Sequence, residues 1–426
     1  MNKKIKPDLS YLTLVLSVIL VISISFSAIG CQNITGAGER YDDELRKEQI
    51  DNLERDYLTH QNEFAFNILK EILKEEDEGT NTLVSPLSIN MALYMTYNGA
   101  DSITKEEMEK ALNLEGLELE KLNEQMKNLK EFLEHTKDGV DFRVANSIWG
   151  REGEVNFLEE FVENNKEYYD SEINELDFSK QEASDIINDW VAENTEGKID
   201  EIVGENIPAR LLLYLINTTY FNGEWLEEFP EENTKEESFY TKDDEEITHP
   251  MMKVEEEFPY KENDLFQAVS LPYKDDIFQM TLFLPKEDKS LEELTDNLTK
   301  KNWEKWQDGF HTGEGTVKLP RFSYEYEKSL VDVLKNLGME TAFTSANFSK
   351  MLESSGDLFI DEVLHKSFIE VDEKGTEAAA ATKVAVEEVA APKPFEIEFN
   401  RPFFYVIENT EADSILFMGT LYEPKE

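Results

Sequence analysis

Residues 370–394 read EVDEKGTEAAAATKVAVEEVAAPKP. Taken by local propensity, Glu377 and the run Ala378–Ala381 favour helix, and the Ala/Pro-rich remainder reads as a mobile linker. Counted in steps of two, the stretch reads differently. Thr376, Ala378, Ala380, Thr382, Val384 and Val386 share one parity, and all are small or β-branched. Glu377, Lys383 and Glu387 share the other with Ala379, Ala381 and Ala385, so between Thr376 and Glu387 every charge falls on one face. Such a stretch can become a strand with a compact apolar face inward and a charged face outward. Helix former and strand are encoded together, which suits a segment with two states. The 14 residues from Thr376 to Val389 would span about 46 Å if extended.

Outward from this stretch the pattern becomes regular. Apolar residues at helical spacing run through Tyr57–Glu75, with Phe64, Ile68, Leu69, Ile72 and Leu73 on one face. Ser85-Pro86 opens a helix over Leu87–Asn98 that is apolar nearly all round and therefore buried. Glu106–Leu112, Leu119–Glu134, Phe157–Tyr169 and Ser184–Asn194 also read as helices. Strands are expected at Leu211–Phe221, Phe266–Leu271, Phe278–Leu284, Val317–Phe322, Phe359–Val371, Phe403–Glu408 and Ile415–Leu421. Helices crowd the first half and strands the second, which predicts an α+β fold with large antiparallel or mixed sheets. No repeat and no dividing linker follows Tyr57, so residues 57–426 are expected to form one large domain.

At the other end of the chain, Lys3, Lys4 and Lys6 precede an apolar run from Leu12 to Ile29. This reads as a secretory signal over residues 1–30. It ends in Ala28-Ile29-Gly30-Cys31, which resembles the lipobox of prokaryotic lipoproteins and implies cleavage before Cys31 and a lipid on its thiol. Removing Lys3, Lys4, Lys6 and Asp8 would take the net charge from −50 to −52. An uncleaved anchor is the second reading, since about 18 apolar residues just span a thin bilayer. In both, the body faces outward and is tethered to a membrane. Residues 31–56 are polar and read as the tether. Cys31 is the chain's single cysteine, so no disulfide, zinc cluster or cysteine nucleophile is available.

The 426 residues carry 42 Lys and Arg against 92 Asp and Glu. A polyanion of this size is repelled by nucleic acid and by anionic lipid, which excludes nucleic-acid binding. The acidity is spread along the whole chain and reads as a solvated surface suited to salty surroundings. No EF-hand loop, HExxH, GxSxG, P-loop or GxGxxG is present, and none of the five histidines sits in a metal-ligand spacing. No cofactor, no metal and no catalytic residue is expected; the chain does not read as an enzyme.

Six motifs, in order, resemble the serpin family between Tyr57 and Pro424. Val371–Thr382 resembles the family's reactive-loop hinge almost letter for letter. Phe399-Asn400-Arg401-Pro402-Phe403 and Ile415–Gly419 resemble its C-terminal signature. Asn81–Ile89 resembles the start of its buried second helix. Asn217 with Tyr220–Trp225 resembles the central strand and the breach at Trp225. Asn188-Trp190-Val191 with Thr195, Gly197, Lys198 and Ile199 resembles the helix lying over the main sheet. The resemblance implies the serpin fold, with three β-sheets, about eight or nine helices and an exposed reactive-centre loop over about 373–394.

It also implies a mechanism. The loop is bait for a serine protease, which cleaves it to an acyl-enzyme. The freed loop then inserts as a strand in the main sheet and drags the covalently held protease away, a form of strand addition. Serine proteases are the implied partners, cysteine proteases a second class, and the inhibitor is expected to be a monomer. The hinge residues carried over are Glu373, Gly375, Thr376, Glu377, Ala378, Ala379, Ala380, Ala381 and Thr382. Ser85, Ser88, Asn217 and His365 match the family's shutter, a gating group; alternatively the serines cap a helix and the histidine is a satisfied core residue. Seventeen residues counted from Glu373 place the scissile bond after Val389, before Ala390, with Ala391 and Glu388 as the other candidates. Small aliphatic residues there suit elastase-like or subtilisin-like proteases, because an Asp-floored pocket would lose its ion pair. A non-inhibitory serpin that binds or carries a ligand is the alternative.

Overall fold

Ten α-helices and fifteen β-strands make up the residues that the computed structural model describes, 43–353, 359–376 and 394–425. The helices are α1 (Asp43–Asp51), α2 (Arg55–Glu75), α3 (Pro86–Gly99), α4 (Ser102–Ala111), α5 (Leu119–Glu134), α6 (Glu159–Tyr169), α7 (Gln181–Asn194), α8 (Leu291–Asp296), α9 (Lys300–Gln307) and α10 (Val331–Asn336). The strands are β1 (Thr82–Val84), β2 (Val140–Arg151), β3 (Glu172–Leu176), β4 (Leu213–Glu224), β5 (Lys235–Tyr240), β6 (Glu246–Glu262), β7 (Phe266–Pro272), β8 (Phe278–Pro285), β9 (His311–Pro320), β10 (Phe322–Ser329), β11 (Glu362–Val371), β12 (Gly375–Thr376), β13 (Phe395–Glu398), β14 (Phe403–Asn409) and β15 (Ser414–Leu421). Cys31 and its leader lie outside the described residues. So do Glu377, Ala378, Ala379, Ala380, Ala381 and Thr382, and the bond candidates Glu388, Val389, Ala390 and Ala391.

The strands form two hydrogen-bonded sheets. The main sheet has the order β10-β11-β4-β2-β3, with the two-residue β12 on β4. Its central pair, β4 and β11, is parallel; β2 runs antiparallel to β4 and parallel to the edge strand β3, and β10 runs antiparallel to β11. The second sheet has nine strands, β1-β15-β14-β8-β7-β6-β9-β13 with β5 on β6. Three sheets were expected. The 17-residue β6 removes the third, because one continuous strand pairs with β5 and β9 along its length and with β7 at its end. Similarly, the expected strand Val317–Phe322 is two strands. β9 ends at Pro320 in the second sheet and β10 begins at Phe322 in the main sheet, so the chain changes sheets at Arg321.

Helix α3 explains its own composition. Pro86 at its first turn needs no N–H partner, and nearly every residue of PLSINMALYMTYNG is buried between the two sheets. β4 is buried along almost all of its length because α3 covers one face and α7 the other. Ile187 and Val191 of α7 form a second core with Trp149, Tyr214 and Ile216 of the main sheet, flanked by Leu364 and Phe368 of β11. Asn188 then pins the chain that follows: its Oδ1 accepts from the N–H groups of Ile202 and Val203, both at 3.0 Å, and its Nδ2 donates to Val203 O at 2.8 Å.

The folded unit starts at Asp43, not at Tyr57, so the stretch read as a tether through residue 56 is partly structured. Helix α1 has no apolar stripe, and it docks through a buried Arg46 paired with Asp275 far away in sequence. Nothing in the local pattern announces such a contact.

Candidate functional site

The end of β11 leads into a tight turn that aims the hinge back at the main sheet. Asp372 Oδ1 accepts from the N–H groups of Lys374 (2.9 Å) and Gly375 (3.1 Å), and Asp372 N–H donates to Gly375 O at 2.9 Å. The reversal places Gly375 opposite Glu224 and Thr376 opposite Gly223, antiparallel to β4. Only glycine fits at 375. Its φ is +154°, and a Cβ would lie 2.1 Å from Gly223 O and 2.7 Å from Glu224 Cα.

Trp225 closes this corner. Its indole N–H donates to Asp372 O at 3.0 Å and its backbone N–H to Lys374 O at 2.8 Å. The indole stacks on Tyr273 with centroids 4.6 Å apart and planes 11° from parallel. The Tyr273 hydroxyl lies 3.2 Å from Thr376 Oγ1, and Thr376 is only 3% exposed. Beneath the turn, Arg321 donates from Nε (2.8 and 2.9 Å) and Nη2 to the carboxylate of Glu373. Burial alone would push that carboxyl up, but Arg321 and Thr234 outweigh it and hold Glu373 below the usual carboxylate range.

Halfway down the sheet the structure brings Ser85, Ser88, Asn217 and His365 together. His365 and Asn217 are register partners across the parallel β4–β11 seam, and Asn217 is opposite Asn146 of β2. Ser85 N–H donates to His365 Nε2 at 3.2 Å, so Nδ1 carries the proton and donates to Asn217 Oδ1 at 2.7 Å. Asn217 Nδ2 in turn donates to Ser88 Oγ, on α3, and to Asn146 Oδ1 at 2.6 Å. Complete burial pushes the His365 imidazole down to about 4, so it is neutral at pH 7. Ser85 precedes α3 but makes no side-chain cap; its contribution here is a backbone N–H.

Tyr273, Arg321, Thr234 and Asn146 belong to these groups and were not foreseen. For Asn146 there was a signal, a polar residue within the alternating VDFRVANSIW of β2. For the other three there was none. Among the described residues no group of three or more His, Cys, Asp and Glu is placed to hold a metal. The arrangement is a latch at one end of a parallel seam and a polar bar across its middle.

Known proteins share this sequence framework and fold. The family model for Serpin (serine protease inhibitor) matches residues 59–424. A serpin-like protein of Methanosarcina acetivorans is 35% identical over 380 residues, covering 87% of each chain. The native-state crystal structure of the thermophilic serpin tengpin superposes with a TM-score of 0.80 at 31% identity, over 87% of this chain and 95% of that one. Human thyroxine-binding globulin, solved with its hormone bound, also superposes at 0.80, with 25% identity over 87% of this chain and 99% of that one. Hinge turn, glycine at 375, stacked tryptophan and helix-covered seam thus stand in a fold and a sequence framework shared over 87% of the chain, and the chain belongs to the serpin family.

Proposed function

We propose that this chain is a suicide inhibitor of serine endopeptidases, held on the outer face of a cell membrane by a lipid on Cys31. The protease's serine attacks the carbonyl of Val389 and the bond to Ala390 breaks, leaving an ester to the protease and a free amine on Ala390. Ala391 and Glu388 define the neighbouring alternatives for that bond. The freed segment then enters between β4 and β11, with Thr376, Ala378 and Ala380 inward.

The observation that carries this reading is the pairing of Gly375 and Thr376 with Glu224 and Gly223. Below that point β4 still pairs with β11, from Tyr214–Glu362 to Thr219–Ser367. The hinge therefore already lies in line with the seam that a new strand has to open. The residues that follow in sequence are small, so their passage beneath α7 needs little displacement. Opening the seam breaks the His365–Asn217 hydrogen bond and leaves Asn217 bonded to Asn146 and Ser88, so β4 stays with β2.

The test mixes the chain from Gln32 onward with an elastase-like or subtilisin-like protease and runs a denaturing gel. A band at the summed mass, with Ala390 at the start of the released peptide, is the expected result. Clean cleavage without that band, by each of these proteases, overturns the trapping reading. The likeness to thyroxine-binding globulin favours the second reading, a binding or carrier serpin, whose loop is cut without trapping.

A further inference from the structure

Helix α1 is fastened to the body by a buried ion pair. Arg46 is 4% exposed and gives Nη1 and Nη2 to the two oxygens of Asp275, at 2.8 and 2.9 Å. Its guanidinium lies 5.7 Å from the centroid of the Phe132 ring of α5. Asp275 is completely buried, and its Oδ2 also accepts from Lys137 N–H at 2.9 Å. A nine-residue polar helix has no stability of its own in water. A buried bidentate pair is a costly way to dock it, since both charges lose their hydration. Docking at this place therefore calls for a reason beyond attachment.

The place is the turn between β7 and β8, which also supports the hinge. Two residues before Asp275, Tyr273 stacks on Trp225 and meets Thr376. Between them, Lys274 N–H donates to Glu224 O at 2.7 Å, and its ammonium pairs with Glu224 and with Glu228. Glu224 is the residue that faces Gly375 in the hinge pairing. The turn is thus held by α1 at Asp275 and holds the hinge at Tyr273.

We infer that Arg46 is a positioning residue for loop insertion: through Asp275 it sets the 273–275 turn so that Tyr273 receives Thr376 as the inserting strand starts down the seam. The inference rests on the inhibitory reading. It makes the segment next to the proposed lipid anchor a working part of the trap. Without Arg46 the Asp275 carboxylate is buried and uncompensated, and the turn moves to hydrate it. Tyr273 then leaves Trp225 and Thr376, insertion slows, and the acyl-enzyme hydrolyses before it is trapped.

The test compares wild type, Arg46→Met, Arg46→Lys and the exposed-site control Glu48→Ala, each from Gln32 onward. Two quantities are read: the ratio of cleaved inhibitor to covalent complex, and amide exchange over residues 222–229, 273–278 and 372–376. Arg46→Met should raise the ratio about threefold or more and speed exchange at 372–376 about tenfold, with the rate constant for loop cleavage unchanged. Arg46→Lys, which keeps the charge but not the two-pronged geometry, should fall between, and Glu48→Ala should match wild type. Unchanged ratio and exchange in Arg46→Met, or in Arg46→Lys should the first not fold, overturn the inference while leaving the inhibitory reading intact. If wild type itself forms no complex, that reading fails, and exchange at 372–376 alone decides whether Arg46 governs the hinge.

Discussion

His365 makes the seam sensitive to acid. In the folded chain its imidazole titrates near 4, whereas in the unfolded chain it titrates near 6.5. Between those values the unfolded chain binds more protons, so stability rises with pH across that window and is lost as pH falls from about 6.5 to about 4. The full difference amounts to about 3 kcal/mol. Its structural cause is specific: a proton on Nε2 turns an acceptor into a donor facing the N–H of Ser85. His365→Gln should lose this part of the pH dependence, at a cost at neutral pH of about 1–3 kcal/mol for the broken network. Denaturant midpoints of the two proteins at pH 7 and pH 4.5 check it; equal losses on acidification would refute the assignment. Thr376 gives a second test at this scale. Its hydroxyl sits against Tyr273 in a buried corner, where an arginine would bury an unpaired charge. Thr376→Arg should turn a trapping inhibitor into a substrate while its loop is cut as fast as before. Trapping at the wild-type ratio would mean that insertion does not need a small, uncharged residue at 376.

Among the elements, α7 is the one that covers the seam. It lies over the main sheet, and Asn188 fastens the segment through Ile202 and Val203 that closes over the same face. Asn188→Ala frees those two N–H groups and should cost about 1–3 kcal/mol. It should also shorten the time that the uncut protein takes, on mild warming, to convert to a loop-inserted form that resists denaturant. Conversion at the wild-type rate would show that the cover does not limit opening. Legibility from sequence follows the same physics. Helix α5 carries a strong 3.6-residue period and was placed with its observed ends, Leu119 and Glu134; β4, β11 and β14 were placed within three residues. Helix α1 was read as tether, because the Arg46–Asp275 pair that docks it spans 229 residues and no local period marks it. Ser85, Ser88, Asn217, His365 and the stretch from Glu373 were singled out by resemblance of motifs. Their partners Arg321 and Tyr273 were not, since they meet Glu373 and Thr376 across 52 and 103 residues.

At the scale of the whole molecule, the inhibitory reading requires the main sheet to accept one more strand. β4 and β11 pair in parallel through six positions, the weaker kind of ladder, and the two residues of β12 pair with β4 above that seam. A strand formed from residues 376–389 would run antiparallel to both neighbours and replace one parallel seam with two antiparallel ones. The two new ladders over some 14 residues outnumber the six-position seam they replace, at about 1 kcal/mol net for each bond. Cleaving the loop adds no bond and removes only a constraint, so any stabilisation that follows must come from this rearrangement. The uncut chain should therefore melt well below the same chain cut after Val389, by about 20 °C or more. Calorimetry of both forms in the same buffer measures the gap directly. A cut protein that melts where the uncut one does would show that the stub at Gly375–Thr376 is the end of the hinge's travel and not its beginning, and the chain would then be a serpin that binds without trapping.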